Sequence, residues 1–173
     1  MKRRIYTLIS LLLTAAMLFS IMPVAFAEDE NIAAEVMTKE TFVSSDNTSL
    51  PYRLYVPEDY DANKEYSFLL FLHGAGNRGS DNESQVSVHT GLLNRIIGGE
   101  TITYNGESID ASKEFIIVAP QCAKDMQWVD TPWTKLPDPS YELDNMPQSQ
   151  YMTAVVELVS KMQETYNLNS SRM

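Results

Sequence analysis

The sequence predicts an α/β fold in which helices cover both faces of a mostly parallel sheet. Two segments, residues 68–72 and 115–119, consist of consecutive apolar side chains and leave no polar face. A strand of this kind is expected where helices pack on both sides of it. A third segment, residues 152–166, repeats its apolar side chains with the period of an amphipathic helix. These segments favour an α/β sheet over a β-sandwich.

Two hairpins are predicted beside these core strands. Residues 41–56 contain two β-prone arms around a turn-rich break at residues 46–49, which indicates an N-terminal hairpin. Residues 101–110 are β-prone on both sides of Asn105-Gly106, the strongest short-range hairpin signal. We interpret the second hairpin as a small ribbon inserted before the core strand at residues 115–119.

A first helix is predicted over residues 80–97. Ser80 and Asp81 supply an N-cap, and Gly98-Gly99 ends the helix. Residues 121–147 then form a long irregular segment, and such segments inside a compact domain are usually functional or disordered.

A second helix is predicted from Gln148. Its apolar stripe consists of Met152, Val155, Val156, Val159, Met162 and Tyr166. The final residues, Arg172 and Met173, are interpreted as the first step into a further strand.

The N-terminus has the pattern of a secretory signal peptide. Residues 2–4 are basic, residues 5–24 are largely apolar, and residues 25–27 read Ala-Phe-Ala. The alternative is a retained membrane anchor, because the apolar stretch is nearly long enough to span a bilayer. Interspersed Ser and Thr favour removal, so we expect cleavage after Ala27, a secreted chain and no stable membrane association. Residues 28–38 are then expected to be a loose lead-in to a domain over residues 39–173.

Charge and cysteine content restrict the possible partners. Removal of residues 1–27 would take away three basic and no acidic residues, leaving 10 basic against 23 acidic and a net charge of −13. Such a chain repels a phosphate backbone, which argues against nucleic acid as a partner. Cys122 is the sole cysteine, so no intrachain disulfide can form. The sequence leaves the oligomeric state open.

The loop after the first core strand carries the candidate site. Residues 73–79 read His-Gly-Ala-Gly-Asn-Arg-Gly, and ligands in open parallel sheets bind at the carboxyl ends of the strands. Gly74 and Gly76 are expected to adopt backbone conformations closed to other residues and to let a substrate approach main-chain N–H groups. The alternative is a tight strand-to-helix turn that binds no ligand.

Three segments together resemble a known family: residues 50–57, residues 71–82, and residues 118–122 with Trp128 after them. They resemble secreted α/β-hydrolases, in the branch of predicted peptidases and esterases related to polyhydroxybutyrate depolymerases, feruloyl esterases and prolyl oligopeptidase-like enzymes. The resemblance covers residues 41–173. It implies an α/β-hydrolase fold that is truncated before the strand carrying the nucleophile, with residues 66–72 lying between that strand and residues 115–119.

The resemblance also implies roles for particular residues. The backbone of Gly74 or Ala75 gives one oxyanion donor, and His73 and Gly76 position the loop, so His73 is not the catalytic base. In this family the segment after the second core strand approaches the active site. The candidate pocket residues are therefore Gln121, Asp125 and Trp128.

The nucleophile of this family lies in a Gly-x-Ser-x-Gly elbow. All seven glycines of this chain lie between Gly74 and Gly106, and none forms an elbow. The acid and the histidine base follow the elbow in this family. We therefore expect the nucleophile, acid and base to be missing from these 173 residues, which would make the chain a fragment of a catalytic domain.

Other catalytic arrangements find little support. Cys122 follows a core strand, but His89, the only other histidine besides His73, falls in the predicted helix over residues 80–97 and fits a solvated side chain. Two histidines sixteen residues apart with no close third ligand do not indicate zinc. Asp81 and Glu83 are explained by the helix N-terminus rather than by an acid–base dyad. No cofactor and no metal are implied.

The predicted function is that of a secreted serine hydrolase acting on a small-molecule or polysaccharide-linked ester, or alternatively on a peptide bond. A second hypothesis is a non-catalytic exported module that binds carbohydrate or polymer. Trp128, Trp133 and Tyr141 would then form a stacking wall. The competing interpretation of these aromatic side chains is that they attach the loop to the domain.

We predict that the purified 173-residue chain does not hydrolyse p-nitrophenyl esters. A serine hydrolase without its triad keeps roughly a thousandfold rate advantage over water through its oxyanion hole and binding, and this chain also lacks the second donor of the elbow. Turnover above that of a Gly74→Pro variant would contradict the prediction.

Overall fold

The structure is a computed structural model that describes residues 31–87, 91–104, 106–129 and 148–173. No helix in these ranges has the length and apolar character needed to cross a membrane. The elements in chain order are helix α1 (Ile32–Val36), strands β1 (Thr38–Val43), β2 (Ser49–Tyr55) and β3 (Ser67–Leu70), helix α2 (Gly91–Ile97), strands β4 (Thr101–Tyr104), β5 (Glu107–Asp110) and β6 (Phe115–Pro120), and helix α3 (Gln150–Thr165).

Four strands form the main sheet in the order β1-β2-β6-β3. β1 and β2 form the predicted N-terminal hairpin, and β2 also pairs antiparallel with β6. β6 pairs parallel with β3, so the two apolar runs are adjacent core strands. β4 and β5 form the predicted ribbon as a separate two-stranded sheet. The predicted α/β fold is therefore confirmed.

Helices cover both faces of the main sheet, as the unbroken apolar runs predicted. Along β6, Ile116 and Val118 face one apolar cluster, which includes Leu158 of α3. Ile117 and Ala119 face the opposite cluster, to which α1 and α2 contribute. These four side chains of β6 are fully buried. Both faces of the strand are consequently removed from water, and no position on it tolerates a polar side chain without a partner.

Helix α3 begins after Ser149, whose hydroxyl accepts a hydrogen bond from the Met152 backbone N–H at 3.0 Å. The predicted stripe is wrong at Val156, which is 51% exposed, whereas Val155 is 1% exposed. Successive helical residues are rotated by about 100°, so only one of two neighbouring valines can face the sheet. The side chains that α3 buries are Ala154, Val155, Leu158 and Met162.

The prediction of a loose lead-in is wrong for residues 31–38. Asn31 caps α1 by accepting a hydrogen bond from the Ala34 backbone N–H. Ala33 and Met37 are 0% and 2% exposed and belong to the apolar cluster beneath α2. The segment is polar overall, so its composition did not indicate that the side chains of Ala33 and Met37 are buried and hold it in place.

The helix predicted over residues 80–97 is shorter in the structure, which has a 3₁₀ turn at Ser84–Val86 and then α2. Asn82 has a positive φ of 50°, and Glu83 has φ −140°, so neither continues a helix. The Asp81 carboxylate accepts hydrogen bonds from the Glu83 backbone N–H and from that of Ser84. Asp81 thereby stabilises a local turn that competes with the helix.

β3 lies at the edge of the main sheet as far as the structure describes it. Tyr66, which directly precedes β3, forms a parallel bridge with Leu168. The Phe68 backbone N–H donates to the Arg172 carbonyl at 3.0 Å. The last described residues therefore begin to run beside β3, in agreement with the interpretation of Arg172 as the first step into a further strand.

The neighbouring valines of α3 provide a matched test of this packing. We expect Val155→Ala to lower the free energy of unfolding by about 2 kcal/mol, because it removes buried methyl groups and leaves a cavity. Val156→Ala makes the same chemical change at an exposed site and should alter stability by less than about 0.5 kcal/mol. Urea denaturation of both variants measures the difference, and equal losses would contradict the assigned face of α3.

Candidate functional site

The loops that follow β3 and β6 meet at one edge of the main sheet and enclose a cleft of about 280 Å³. The two strands are parallel neighbours, so their carboxyl ends bring both loops to this edge. The cleft is lined by His73, Gly74, Ala75, Arg78, Cys122, Gln127, Trp128 and Val129. It is the place where the sequence predicted a site.

Three consecutive backbone amides are available in this loop. Gly74 has extended backbone angles, φ −77° and ψ 173°, and a 3₁₀ turn follows at Ala75–Asn77. The turn is closed by the Asn77 N–H, which donates to the Gly74 carbonyl at 3.1 Å. Within the part of the chain that the structure describes, the N–H groups of Gly74, Ala75 and Gly76 have no hydrogen-bond acceptor. All three residues are exposed, so a ligand can reach these donors.

The structure corrects the reason for glycine at positions 74 and 76. The positive-φ glycines of the described residues are Gly99 and Gly106, so neither Gly74 nor Gly76 needs a conformation closed to other residues. A Cβ added to either of them would meet no atom within 4 Å. The absence of a side chain at these positions therefore keeps the space in front of the N–H groups empty.

His73 is buried and joins the two loops of the cleft. Its Nε2 accepts a hydrogen bond from the Cys122 backbone N–H at 3.0 Å. Its Nδ1 lies 2.7 Å from the Gly74 carbonyl oxygen and must donate to it. These partners require the neutral tautomer with the proton on Nδ1. Both ring nitrogens are thus occupied, and His73 has none left to accept a proton from a nucleophile.

The electrostatics of the loop agree with a neutral His73. Burial lowers the pKa of the imidazole, the hydrogen bond to the Gly74 carbonyl raises it in part, and the Arg78 cation lowers it further. The net effect keeps the pKa of His73 below its ordinary value. Protonation would break the hydrogen bond from the Cys122 N–H, because imidazolium accepts no hydrogen bond.

Trp128 forms a fixed wall of the cleft. Its indole N–H donates to the His73 carbonyl at 3.0 Å, and its ring centroid lies 5.2 Å from that of His73. The indole also contacts the ring of Tyr151 edge-on, with centroids 6.5 Å apart. The Ser149 hydroxyl also donates to the Trp128 carbonyl. Trp128 is the one predicted pocket residue that lines the cleft.

Gln121 lies beneath the loop instead of lining the cleft. Its side chain is fully buried, and its Oε1 accepts a hydrogen bond from the Asn82 backbone N–H at 2.7 Å. Its Nε2 donates to the Asp81 carboxylate at 2.6 Å and to the Asn77 carbonyl at 3.2 Å. Gln121 therefore holds residues 77–82 against the end of β6, and a substrate cannot reach its amide.

The other predicted residues do not meet at the cleft. Asp125 is exposed and is not part of the cleft wall. Trp133, Tyr141 and His89 lie outside the residues that the structure describes.

A buried cluster that the sequence did not reveal attaches the same loop to the domain. Arg53 is 3% exposed, and its Nε donates to the Asn82 carbonyl at 2.7 Å. Its Nη1 donates to the carbonyls of Met37 and Ala34 at 2.6 and 3.0 Å. The Asn82 amide in turn donates to the Tyr52 carbonyl. The one signal in the sequence is a charged residue, Arg53, between the apolar side chains of Tyr52 and Leu54.

The ionised carboxylate of Asp81 also helps to attach the loop to the domain. Burial by itself would raise its pKa, but hydrogen bonds from the side chain and backbone of Ser84, from Gln121 and from the Glu83 N–H hold the pKa of this carboxyl well below its usual range. The loop after Gly76 is therefore fixed by a charged acceptor with four donors, and a carboxyl whose pKa is held this low is poorly suited to general acid or base catalysis near neutral pH.

Cys122 is poorly suited to nucleophilic chemistry. Its side chain is fully buried, and burial raises the pKa of the thiol to about 11. The thiolate, which is the reactive form, is therefore scarce at neutral pH. In the described ranges, no group of three His, Cys, Asp or Glu side chains lies close enough together to hold a metal ion.

Arg78 is a cleft residue that the sequence reading did not single out. Its Nε donates to the Ala75 carbonyl at 3.0 Å. Its Nη1 donates to the Met126 carbonyl at 3.0 Å. The side chain thus connects the loop after β3 with the loop after β6, and its guanidinium forms part of the cleft wall.

Comparison with known proteins relates this architecture to esterases. No protein-family model and no curated protein matches the chain. The crystal structure of a thermostable esterase is similar with a TM-score of 0.58 and 26% identity, and the similarity covers 80% of this chain and 33% of the esterase. A CE1 ferulic acid esterase from Anaeromyces mucronatus is similar with a TM-score of 0.41 and 20% identity, over 77% of this chain and 44% of that one.

The first of these similarities and the strand order identify the fold as that of the α/β-hydrolases. The chain spans about a third of the length of the thermostable esterase. The similarity to the thermostable esterase is consistent with an α/β-hydrolase-like esterase.

The neutral His73 predicts a pH-dependent stability. Its pKa in the folded chain is lowered, whereas the unfolded histidine titrates near its ordinary value of about 6.5. The unfolded chain therefore binds a proton that the folded chain does not. This part of the stability is present above about pH 6.5 and is lost as the pH falls through the window between 6.5 and the folded pKa.

Urea denaturation at pH 7.5 and pH 5.5 measures this effect, with His73→Gln as the comparison. We expect the wild-type chain to lose more stability between the two pH values than the variant does. Titration of other groups is common to both chains and cancels. An identical pH dependence in both would contradict the neutral, buried state of His73.

Proposed function

We propose that this chain is the N-terminal part of a secreted serine hydrolase that acts on carboxylic esters. The observation that carries the proposal is the row of three exposed, unpaired N–H groups at Gly74, Ala75 and Gly76. They lie at the carboxyl end of a core strand, in an α/β-hydrolase fold similar to a solved esterase. Fixed donors of this kind stabilise the oxyanion that forms in acyl transfer.

The chemistry follows from that row of donors. A serine hydroxyl attacks the ester carbonyl, a histidine base accepts the hydroxyl proton, and the carbonyl oxygen becomes an oxyanion held by the Gly74 and Ala75 N–H groups. The alcohol leaves with the proton, and water then hydrolyses the acyl-enzyme. Loss of one such donor costs about 2.7–4 kcal/mol of transition-state stabilisation. In this proposal the serine, acid and histidine belong to a longer polypeptide, of which this chain supplies the oxyanion loop.

The residues beside β3 support the proposal that the serine lies on a further strand of a longer polypeptide. Residues 168–172 begin to run parallel to β3 through the Tyr66–Leu168 bridge and the Phe68–Arg172 hydrogen bond. A strand that continued in this direction would end beside Gly74. The family resemblance places the nucleophile elbow on such a strand, so the serine and the second oxyanion donor would meet the first donor there.

The empty space at the glycines further supports a substrate-facing role. A methyl group at position 74 or 76 is compatible with the local structure, because it would contact nothing within 4 Å. Folding therefore does not require glycine there, whereas close approach of a carbonyl oxygen to the N–H groups does.

The alternative of a non-catalytic binding module has less support from the geometry. Its stacking platform would include Trp128, but this indole contacts the rings of His73 and Tyr151 and donates its N–H internally. A stacking platform for a sugar or polymer needs an open aromatic face. Trp128 is better explained as the wall of a cleft that accepts a small group.

Secretion is part of the proposal on the basis of the N-terminal sequence. Residues 2–27 have the basic, apolar and small-residue regions of a signal peptide. They lie outside the residues that the structure describes. N-terminal sequencing of the chain recovered from an exporting host, with Glu28 as the expected first residue, tests this part.

Sequencing the gene beyond codon 173 separates the two functions. A Gly-x-Ser-x-Gly motif in frame, or one frameshift away, followed by an acid and a histidine, is expected for the hydrolase. An immediate stop codon followed by unrelated sequence would favour the binding module and would contradict the proposal.

The longer polypeptide then allows a test of the oxyanion loop itself. We expect Gly74→Ala to lower kcat for p-nitrophenyl acetate by about 10- to 100-fold, because the new methyl group obstructs the N–H donors. Gly91→Ala is the matched control, since its added methyl group would also meet nothing within 4 Å but lies on α2. Thermal unfolding should be unchanged in both variants, and equal activities would contradict the assigned donors.

A further inference from the structure

Arg78 places a positive charge in the wall of the cleft. Two of its donors are used by backbone carbonyls, Nε by Ala75 and Nη1 by Met126, both at 3.0 Å. A guanidinium has five N–H donors in a planar fork, so three remain for other acceptors. The two carbonyl contacts hold the fork in place between the two loops that form the cleft.

This cation has no acidic partner in the described part of the chain. The ion pairs there involve Arg53, Arg95 and four lysines, and none includes Arg78. The described residues that line the cleft contribute no carboxylate: His73 is neutral, and those other than Arg78 are uncharged. Among the described residues, the guanidinium therefore has no compensating negative charge in the cleft, although the chain as a whole carries a net charge of −10.

Arg78 lies next to the loop that carries the unpaired N–H groups of Gly74, Ala75 and Gly76, which we call the donor loop. Its Nε is hydrogen bonded to the carbonyl of Ala75, the residue whose N–H is an unpaired donor of the same cleft. A ligand whose carbonyl oxygen occupies the N–H groups thus lies beside the guanidinium. The field of Arg78 already reaches other groups in the cleft, since it lowers the pKa of His73 and opposes the raised pKa of Cys122.

We propose that Arg78 binds a carboxylate of the substrate, so that the cleft selects esters that carry a free carboxylate near the scissile ester group. The inference rests on the proposed function, because it assumes that the ester carbonyl binds at Gly74–Gly76. A guanidinium matches a carboxylate through two parallel N–H···O bonds. Arg78 is the one cation among the described residues that line the cleft, which fits a single carboxylate.

Two ligands of the same shape test the inference on the purified chain. Methyl 4-carboxybenzoate carries the ester and a carboxylate, whereas methyl 4-carbamoylbenzoate carries the same ester and a neutral amide. Titration of each ligand into ¹⁵N-labelled protein reports on the backbone signals of Gly74, Ala75 and Gly76. We expect the carboxylate ligand to bind about tenfold more tightly, as a charge-assisted hydrogen-bonded pair implies, and its advantage to shrink as salt is added.

Three variants separate charge recognition from a structural role. Arg78→Gln should remove the advantage of the carboxylate ligand, and Arg78→Lys, which keeps the charge but not the fork, should retain part of it. Arg95→Gln is the matched control, because Arg95 lies on α2 and pairs with Glu100. If Arg78 only connected the two loops, Arg78→Lys would lose the preference for the carboxylate ligand as completely as Arg78→Gln does.

The outcomes also separate this inference from the proposed function. Shifts at Gly74–Gly76 with equal affinity for both ligands would overturn the role of Arg78 and leave the donor loop in place. If the carboxylate ligand still bound more tightly to Arg78→Gln, the role of Arg78 would likewise be overturned and the donor loop would stay in place. If neither ligand shifted these signals, both the inference and the assignment of the donors would be overturned.

Discussion

The buried imidazole of His73 connects the core of the sheet to the cleft. One ring nitrogen accepts from the Cys122 N–H after β6, the other donates to the Gly74 carbonyl after β3, and the His73 carbonyl accepts from the Trp128 indole. One residue thereby sets the distance between the two loops and the orientation of the first donor residue. A neutral imidazole suits this position because it is a donor and an acceptor at once.

Residues 77–82 of the loop are held by buried polar groups that form hydrogen bonds to one another and to the backbone. Arg53, Asn82 and Gln121 are nearly or fully buried, and each is hydrogen bonded to the backbone of a distant segment. An unpaired buried polar group costs about 1–3 kcal/mol, and a buried charge costs more. Displacement of the loop would leave several of these groups unpaired together, so the network favours a single loop position. Such rigidity suits donors that must be in place before a reaction begins.

The sequence predicted those parts of the fold that depend on local pattern. Unbroken apolar runs identified β3 and β6, and Asn105-Gly106 identified the ribbon, because burial and turn geometry select these residue types locally. The phase of α3 was misjudged at Val156, since an i+3 and an i+4 spacing both fit the same helix and only the partner surface chooses between them. The helix over residues 80–97 was overestimated, because Asp81 and Asn82 make polar contacts that compete with helical ones.

The site was predictable in position but not in its construction. His73, Gly74, Ala75 and Trp128 lie at the cleft, as expected for a loop after a doubly buried strand. The role of Gln121 could not be predicted, because its partners at Asn77, Asp81 and Asn82 are about 40 residues away in sequence. Arg78 was missed for the same reason: its bond to Met126 exists only once the two loops meet.

The side chains that hold the loop differ in their hydrogen bonding from the groups that a ligand can reach. Side chains that hold the loop, such as His73 and Gln121, are buried and use all their hydrogen-bonding atoms internally. Among the described residues that line the cleft, the unpaired donors include the backbone N–H groups of Gly74 and Ala75, which need no side chain, and part of the Arg78 guanidinium. These donors suit an oxygen that carries or develops negative charge. In the proposed function a nucleophile and a base come from a longer polypeptide, and the edge of β3 is the side from which a neighbouring strand would bring them.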